Sequence, residues 1–268
     1  MNSIKTTAEN RIESLFSRKE NEVLSVFTTA GFPELNDTLP VMEALQEAGV
    51  DMIELGMPFS DPLADGPVIQ QSSMKAIANG MRLQVLFDQL EGFRSKIHIP
   101  IVLMGYVNTV MQYGIEAFCN RCAALEIDGV ILPDLPHYEY ETIYKPHFEA
   151  AGLHNVFLVS PQTSEERIKI LDDSTRGFLY LVSSASTTGS DKVVTNTETY
   201  LQRIKAMGLK SKTLVGFNIK DASSFQLACT YSNGAIIGSA FIKSLHGQGS
   251  IKDRVARFVR TIKRKTQE

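Results

Sequence analysis

Two carboxylates early in this 268-residue chain have the type and spacing for proton transfer. Glu54 lies near the end of the run Asp51-Met52-Ile53-Glu54-Leu55-Gly56. Asp65 follows in the loop Met57-Pro58-Phe59-Ser60-Asp61-Pro62-Leu63-Ala64-Asp65-Gly66-Pro67. In a strand, alternation puts Met52 and Glu54 on one face and Ile53 and Leu55 on the other. A carboxylate on the inner face of a closed sheet loses water, which raises its pKa and suits general acid–base work near neutral pH. The competing reading is a buried Glu paired with Arg or Lys, yet no cation lies nearby in sequence. Asp65 taken alone fits a turn or cap, since Asp-Gly is a common turn pair. Beside Glu54 it becomes the second member of a carboxylate pair, and such pairs divide acid and base roles when their environments differ. Far along the chain, Gly238-Ser239 and Gly216-Phe217-Asn218 follow apolar runs. Glycine there lets the backbone approach an anion and Ser239 can donate a hydrogen bond, so a phosphorylated ligand competes with plain turns.

The elements that must position these groups are short apolar runs spaced too widely for hairpins. They cover Val23–Thr29, Asp51–Gly56, Ile99–Tyr106, Gly129–Pro133, Asn155–Ser160, Phe178–Ser183, Thr213–Asn218 and Ala235–Ser239. Helical patterns separate them: Asp37–Ala48, Pro67–Asn79, Leu83–Phe93, Ile115–Leu125, Tyr138–Ala151, Ser164–Asp172, Thr197–Met207 and Ala222–Tyr231. Pro67 suits the first position of its helix. A last helix, Ile251–Ile262, carries Ile251, Val255, Phe258 and Ile262 as one stripe. Strands alternating with helices predict parallel pairing through right-handed crossovers. About eight units over this length favour one α/β domain, residues 1–268, folded as a (β/α)₈ barrel. An open dinucleotide-binding sheet would carry a glycine-rich turn after its first strand, and Thr29-Ala30-Gly31-Phe32-Pro33 is not one. An extra N-terminal helix, roughly Glu9 to Arg18, aligns Ile12, Leu15 and Phe16 and is predicted to cap the barrel bottom. Barrel sites lie at the C-terminal ends of the strands, where Glu54, the Asp65 loop, Asn218, Gly238 and Ser239 all fall.

The run from Ile53 to Pro67 resembles the signature of the tryptophan synthase α-subunit family. It is long and contiguous, which sets it apart from a lone glycine pattern. The resemblance continues through Met104-Gly105-Tyr106-Val107-Asn108, Pro133-Asp134-Leu135-Pro136, Tyr180-Leu181-Val182-Ser183, Thr187-Thr188-Gly189 and Gly234-Ala235-Ile236-Ile237-Gly238-Ser239-Ala240, in order over nearly the whole chain. It implies a lyase that splits indole-3-glycerol phosphate into indole and glyceraldehyde 3-phosphate by a retro-aldol reaction, with Glu54 and Asp65 as the catalytic pair. It implies further that Phe27, Tyr180, Thr188 and Ile236 border the substrate, and that Gly189, Asn218, Gly238 and Ser239 hold the phosphate. No metal or organic cofactor is expected. The partner implied is a β subunit in a tetramer of two α and two β chains, to which indole passes directly. Pro58, Phe59, Asp61, Asn108, Pro133 and Asp134 are then interface candidates as well as site borders. Two departures stand out. Asn218 occupies a position where the family usually has Gly, and Asn tolerates the left-handed conformation. Ser184-Ala185-Ser186 stands where the family more often has an Arg and a Gly.

Other signals carry less. Net charge is −3, which gives no electrostatic reason for a nucleic-acid or anionic-membrane partner. The polar start, Met1 to Asn10, lacks a secretory h-region, no apolar run reaches the roughly 20 residues of a membrane span, and three cysteines fit a reducing cytoplasm. Cys119-Asn120-Arg121-Cys122 lacks a second ligand pair at zinc spacing and sits in a helical pattern, so packing is expected. Of His98, His137, His147, His154 and His246 none forms a metal spacing, and most are expected at the surface. Arg257, Arg260, Lys263, Arg264 and Lys265 read as the solvated side of the last helix. Two rivals remain: a non-catalytic barrel kept as an allosteric partner, against which both carboxylates are intact, and another phosphate-binding barrel enzyme. The second needs a different acid–base set, often a strand-end Lys, and the nearest is Lys220, just beyond the seventh strand.

Overall fold

The computed structural model describes residues 10–182, 191–216 and 218–263. Eight parallel strands close on themselves in sequence order: β1 Val23–Thr29, β2 Met52–Gly56, β3 Ile101–Met104, β4 Gly129–Ile131, β5 His154–Val159, β6 Phe178–Val182, β7 Lys212–Gly216 and β8 Gly234–Ile237. β1 also pairs with β8, Ser25 against Ile236, which closes the ring. Around it run α1 Arg11–Arg18, α2 Thr38–Glu47, α3 Pro67–Ala78, α4 Leu83–Gln89, α5 Val107–Tyr113, α6 Ile115–Ala124 and α7 His137–Glu139. They continue with α8 Lys145–Ala150, α9 Glu165–Ser174, α10 Asp191–Ala206, α11 Ala222–Tyr231, α12 Ser239–Ser244 and α13 Ile251–Lys263. The (β/α)₈ barrel expected from the spacing of the apolar runs is therefore the fold. Among the described residues, no helix is long and apolar enough to cross a membrane.

Alternation along each strand produces two apolar layers. Leu24, Val26, Ile53 and Leu55 join the larger cluster between sheet and helices. Val23, Met52, Val102, Ile131, Val156, Phe178, Tyr180, Leu214 and Ile236 fill the barrel interior. The bottom of that interior is closed by α1, whose Ile12, Leu15 and Phe16 belong to the same cluster, with the Phe16 ring 6.2 Å from that of Phe178. Asn10 caps α1 by accepting from the Ile12 N–H at 2.9 Å, and its amide donates to the Asp128 carbonyl at 2.8 Å. Arg11 and Arg94 meet at Asp128, 3.2 and 2.5 Å away, so the cap helix is tied to the β3–β4 side by buried charge.

Several local expectations need correction. α4 stops at Gln89 rather than Phe93, because Gly92 turns left-handed at φ 69° and a 3₁₀ turn, Phe93–Ser95, follows. The helix expected over Tyr138–Ala151 is interrupted by a π segment, Tyr140–Tyr144. Pro146 has no N–H to return to the preceding turn, which fits a widened backbone there. Two helices, α5 and α12, went unseen in the sequence. Of the five histidines, most of them expected at the surface or in loops, His154 is buried, with Nε2 3.3 Å from Glu13 at the barrel bottom. Cys119 and Cys122 are both buried in the packing of α6.

Candidate active site

The upper end of β2 sets the geometry. Ile53 and Leu55 pack outward, so Glu54 points inward, fully buried. Its register partner on β1 is Phe27, and one pleat below, Ser25 pairs with Met52. The Ser25 hydroxyl donates to Glu54 Oε1 at 3.2 Å, and among the described residues Oε2 has no hydrogen-bond partner. No cation pairs with Glu54 among the described residues, which removes the structural ion-pair reading. Burial pushes its carboxyl up to about 8 against the smaller, opposite effect of the Ser25 hydrogen bond, so Glu54 is mainly protonated at neutral pH.

Asp65 arrives on the β2–α3 loop, which its own backbone holds in a turn through the Asp65 N–H to the Pro62 carbonyl at 3.0 Å. Gln70 on α3 donates to the Asp65 carbonyl at 2.9 Å, pinning the loop from the helix side. Tyr106, just past β3, donates to Asp65 Oδ2 at 3.1 Å and accepts the Ala64 N–H at 3.0 Å. Burial raises the Asp65 carboxyl above its ordinary value, partly offset by the Tyr106 hydroxyl. The Tyr180 hydroxyl is pushed well up by burial and then by the charges of both Glu54 and Asp65, so the two carboxylates act on one point of the rim. A Cβ at Gly216 would overlap the Tyr180 ring, and glycine there leaves the ring its place under the rim.

Above these groups lies a narrow cleft bordered by Phe27, Phe59, Asp65, Met104, Tyr106 and Pro133. Phe27 and Asp65 line it directly, whereas Glu54, Tyr180 and Ile236 do not. Phe59 stacks on Tyr106 at 5.1 Å, and the Val107 N–H donates to both Asp134 oxygens at 2.9 and 3.2 Å. Pro58 is half-buried, while Asp61 and Asn108 are exposed on the same rim. Asn218 takes the left-handed conformation, φ 59°, after β7, and both it and Ser239 are exposed, with Gly238 half-buried beside them. Thr188 and Gly189, with the Ser184-Ala185-Ser186 departure, lie outside the described residues.

Sequence reasoning missed Ser25 and Tyr106 as site residues. Tyr106 carried a signal, a polar aromatic at the end of the third strand inside a family motif. Ser25 carried a fainter one, a small hydroxyl at an inward position of an otherwise apolar strand end.

A closed parallel barrel with a protonated carboxyl and a second raised carboxylate at one strand-end rim defines an acid–base enzyme of the (β/α)₈ class. Residues 14–268 match the family model described as tryptophan synthase alpha chain. The tryptophan synthase alpha chain of Flavobacterium johnsoniae is 52% identical over 236 residues, 88% of this chain and 93% of that one. The corresponding chain of Parabacteroides distasonis is 46% identical over 255 residues, 95% and 99% of the two chains. Among solved structures, tryptophan synthase subunit alpha from Legionella pneumophila superposes with a TM-score of 0.85 at 30% identity, covering 95% of this chain and 97% of that one. Tryptophan synthase from M. tuberculosis in its aminoacrylate-bound form gives 0.82 at 28% identity, with 94% and 98% covered. The chain belongs to the tryptophan synthase alpha-chain family. It is a carbon–carbon lyase of tryptophan biosynthesis, and the reaction is the family's cleavage of indole-3-glycerol phosphate.

Proposed function

We propose that Glu54 and Asp65 divide this cleavage between them. Breaking the bond from indole C3 to the glycerol carbon directly would leave a carbanion, which an apolar pocket disfavours. Glu54 therefore gives its proton to C3 first, drawing on the ring's enamine electrons and leaving an indolenine cation. Asp65 accepts the ring N–H in a charge-assisted hydrogen bond that stabilises that cation. The Glu54 carboxylate then takes the proton of the C3′ hydroxyl. The O–H pair becomes the carbonyl of glyceraldehyde 3-phosphate, the C3–C3′ pair returns to the ring, and neutral indole departs. Glu54 ends the cycle protonated, and the step as written requires no cofactor. The observation that carries this reading is a fully buried carboxyl with no cation paired to it among the described residues, so that burial pushes its pKa up to about 8.

Phe27, Tyr180, Ile236 and Thr188 would flank the indole ring. The backbone N–H groups of Gly189, Asn218, Gly238 and Ser239, with the Ser239 hydroxyl, would hold the phosphate, and the left-handed Asn218 keeps the conformation a glycine would supply there. Residues 1–268 act as one domain in the cytoplasm. Pro58, Phe59, Asp61, Asn108, Pro133 and Asp134 would face a β subunit in a two-α, two-β tetramer that receives the indole. The test is Asp65→Asn assayed with the β subunit present. Indole release is expected to fall by about 10²-fold or more with an unchanged circular dichroism spectrum. Turnover near that of the unsubstituted chain would overturn the role of Asp65.

A further inference from the structure

On β1, β2, β3 and β8 the inward side chains at and below the level of Glu54 are apolar except at one place. The strands flanking Glu54 offer Phe27 on β1 and Val102 on β3 in register, and the layer beneath offers Met52, Ile236 and Phe178. The exception is Ser25, fully buried like Glu54 itself, whose hydroxyl reaches Oε1 diagonally across the β1–β2 ladder. A hydroxyl at that depth has lost its water and needs a partner, and the carboxyl oxygen supplies one. The contact therefore fixes the rotation of the carboxyl plane and separates its two oxygens. Oε1 is engaged from below, and Oε2 has no hydrogen-bond partner among the described residues.

We infer that Ser25 is a positioning residue of the lyase: its hydroxyl holds Glu54 Oε1 so that Oε2 is the oxygen that exchanges the proton with substrate. The inference rests on Glu54 as the proton carrier. Ser25 touches neither indole nor phosphate in this arrangement. It acts by orientation and by stabilising the carboxylate form halfway through the cycle, when Oε2 has given up its proton and must accept another. The same hydrogen bond opposes the burial that raises the Glu54 carboxyl. Among the described residues, the titratable group that feels Glu54 is Tyr180 on β6, held protonated by burial, which also feels Asp65 on the β2–α3 loop, where Tyr106 donates to it. Besides Ser25, the inward neighbours on β1, β3 and β8 are Phe27, Val102 and Ile236, none of them titratable.

The experiment is a pH profile of indole release by Ser25→Ala and Ser25→Thr with the β subunit bound, paired with an infrared titration of the Glu54 carboxyl. The carboxyl C=O band is assigned by its loss in Glu54→Gln. Ser25→Ala is expected to lower kcat about tenfold with KM within about twofold, the worth of one oriented hydrogen bond. Losing the donor disfavours the carboxylate. Hence the alkaline limb and the infrared midpoint both move upward by roughly one pH unit. Ser25→Thr, which keeps the hydroxyl, returns both toward the parent values. An infrared midpoint unmoved by Ser25→Ala overturns the proposal, whether or not kcat changes. A shifted midpoint with undiminished kcat also overturns the orienting role. If Glu54→Gln itself retains turnover, the proton-carrier reading fails, and the infrared midpoint still reports separately whether Ser25 holds Oε1.

Discussion

At the scale of single residues the chemistry depends on how differently one fold treats two carboxylates. Glu54 is fully buried and, among the described residues, has one hydrogen bond, from the Ser25 hydroxyl, so it keeps its proton to about pH 8. Asp65 stands at the cavity wall with a tyrosine hydroxyl donating to it, which suits an acceptor for a positively charged N–H. Burial of Glu54 has a stability consequence with a definite sign. Below about pH 4.5 the carboxyl is protonated whether the chain is folded or not. Between there and about 8 the unfolded chain has released the proton and the folded one has not, so stability falls as pH rises, by at most about 1.4 kcal/mol per pH unit from this group. Glu54→Gln removes that dependence. Urea unfolding of this variant should show a gain over the parent that grows from pH 5 to pH 8, and a constant difference would show that Glu54 ionises normally. The importance of Glu54 was legible in the sequence, because period-two alternation aimed it inward from the end of a strand. Its partnership with Ser25 was not, since it depends on the lateral register of two strands whose residues lie 29 positions apart. The Asp65–Tyr106 contact, 41 positions apart, was hidden for the same reason.

At the scale of elements the barrel separates a rigid base from a site-bearing rim. The base is held by α1, which places three apolar side chains into the bottom of the barrel and fastens itself through Asn10 and Arg11 to the Asp128 region. Phe16 is nearly fully buried there against Phe178. Phe16→Ala should therefore cost about 3–5 kcal/mol in urea unfolding. A loss under about 1 kcal/mol would mean that the cap contributes little. Strand positions were readable because each is a short apolar run with polar flanks, and β1 and α11 match their expected limits. The ends nearest the site were least readable. β3 was expected to reach Tyr106 and β8 to reach Ser239, yet pairing stops at Met104 and Ile237, and helices α5 and α12 begin almost at once. Both are short, seven and six residues, and α5 buries only Val110, so no apolar stripe announced them. An apolar run marks where a strand is. It does not mark where the strand gives way to the backbone that carries function.

At the scale of the whole molecule the arrangement directs everything reactive to one face. Glu54 and Tyr180 point into the barrel from β2 and β6, Asp65 stands on the loop after β2, Gly238 and Ser239 follow β8, and Phe59 and Pro133 border the opening that Asp65 lines. In the account proposed, a β subunit covering that opening both excludes water and receives the indole, so the rim serves catalysis and assembly together. Fold and family were legible in the sequence because the Ile53–Pro67 run and the spacing of eight apolar segments are properties of the chain itself. Relations between the carboxylates and their neighbours belong to the assembled sheet and emerge only when β1, β2 and β3 pair in register. The most direct test of the central claim is release of indole from indole-3-glycerol phosphate by Glu54→Gln at pH 7 with the β subunit present. The account predicts a loss of about 10²-fold or more while the fold, followed by circular dichroism, is kept. Turnover within a few-fold of the parent chain would contradict it.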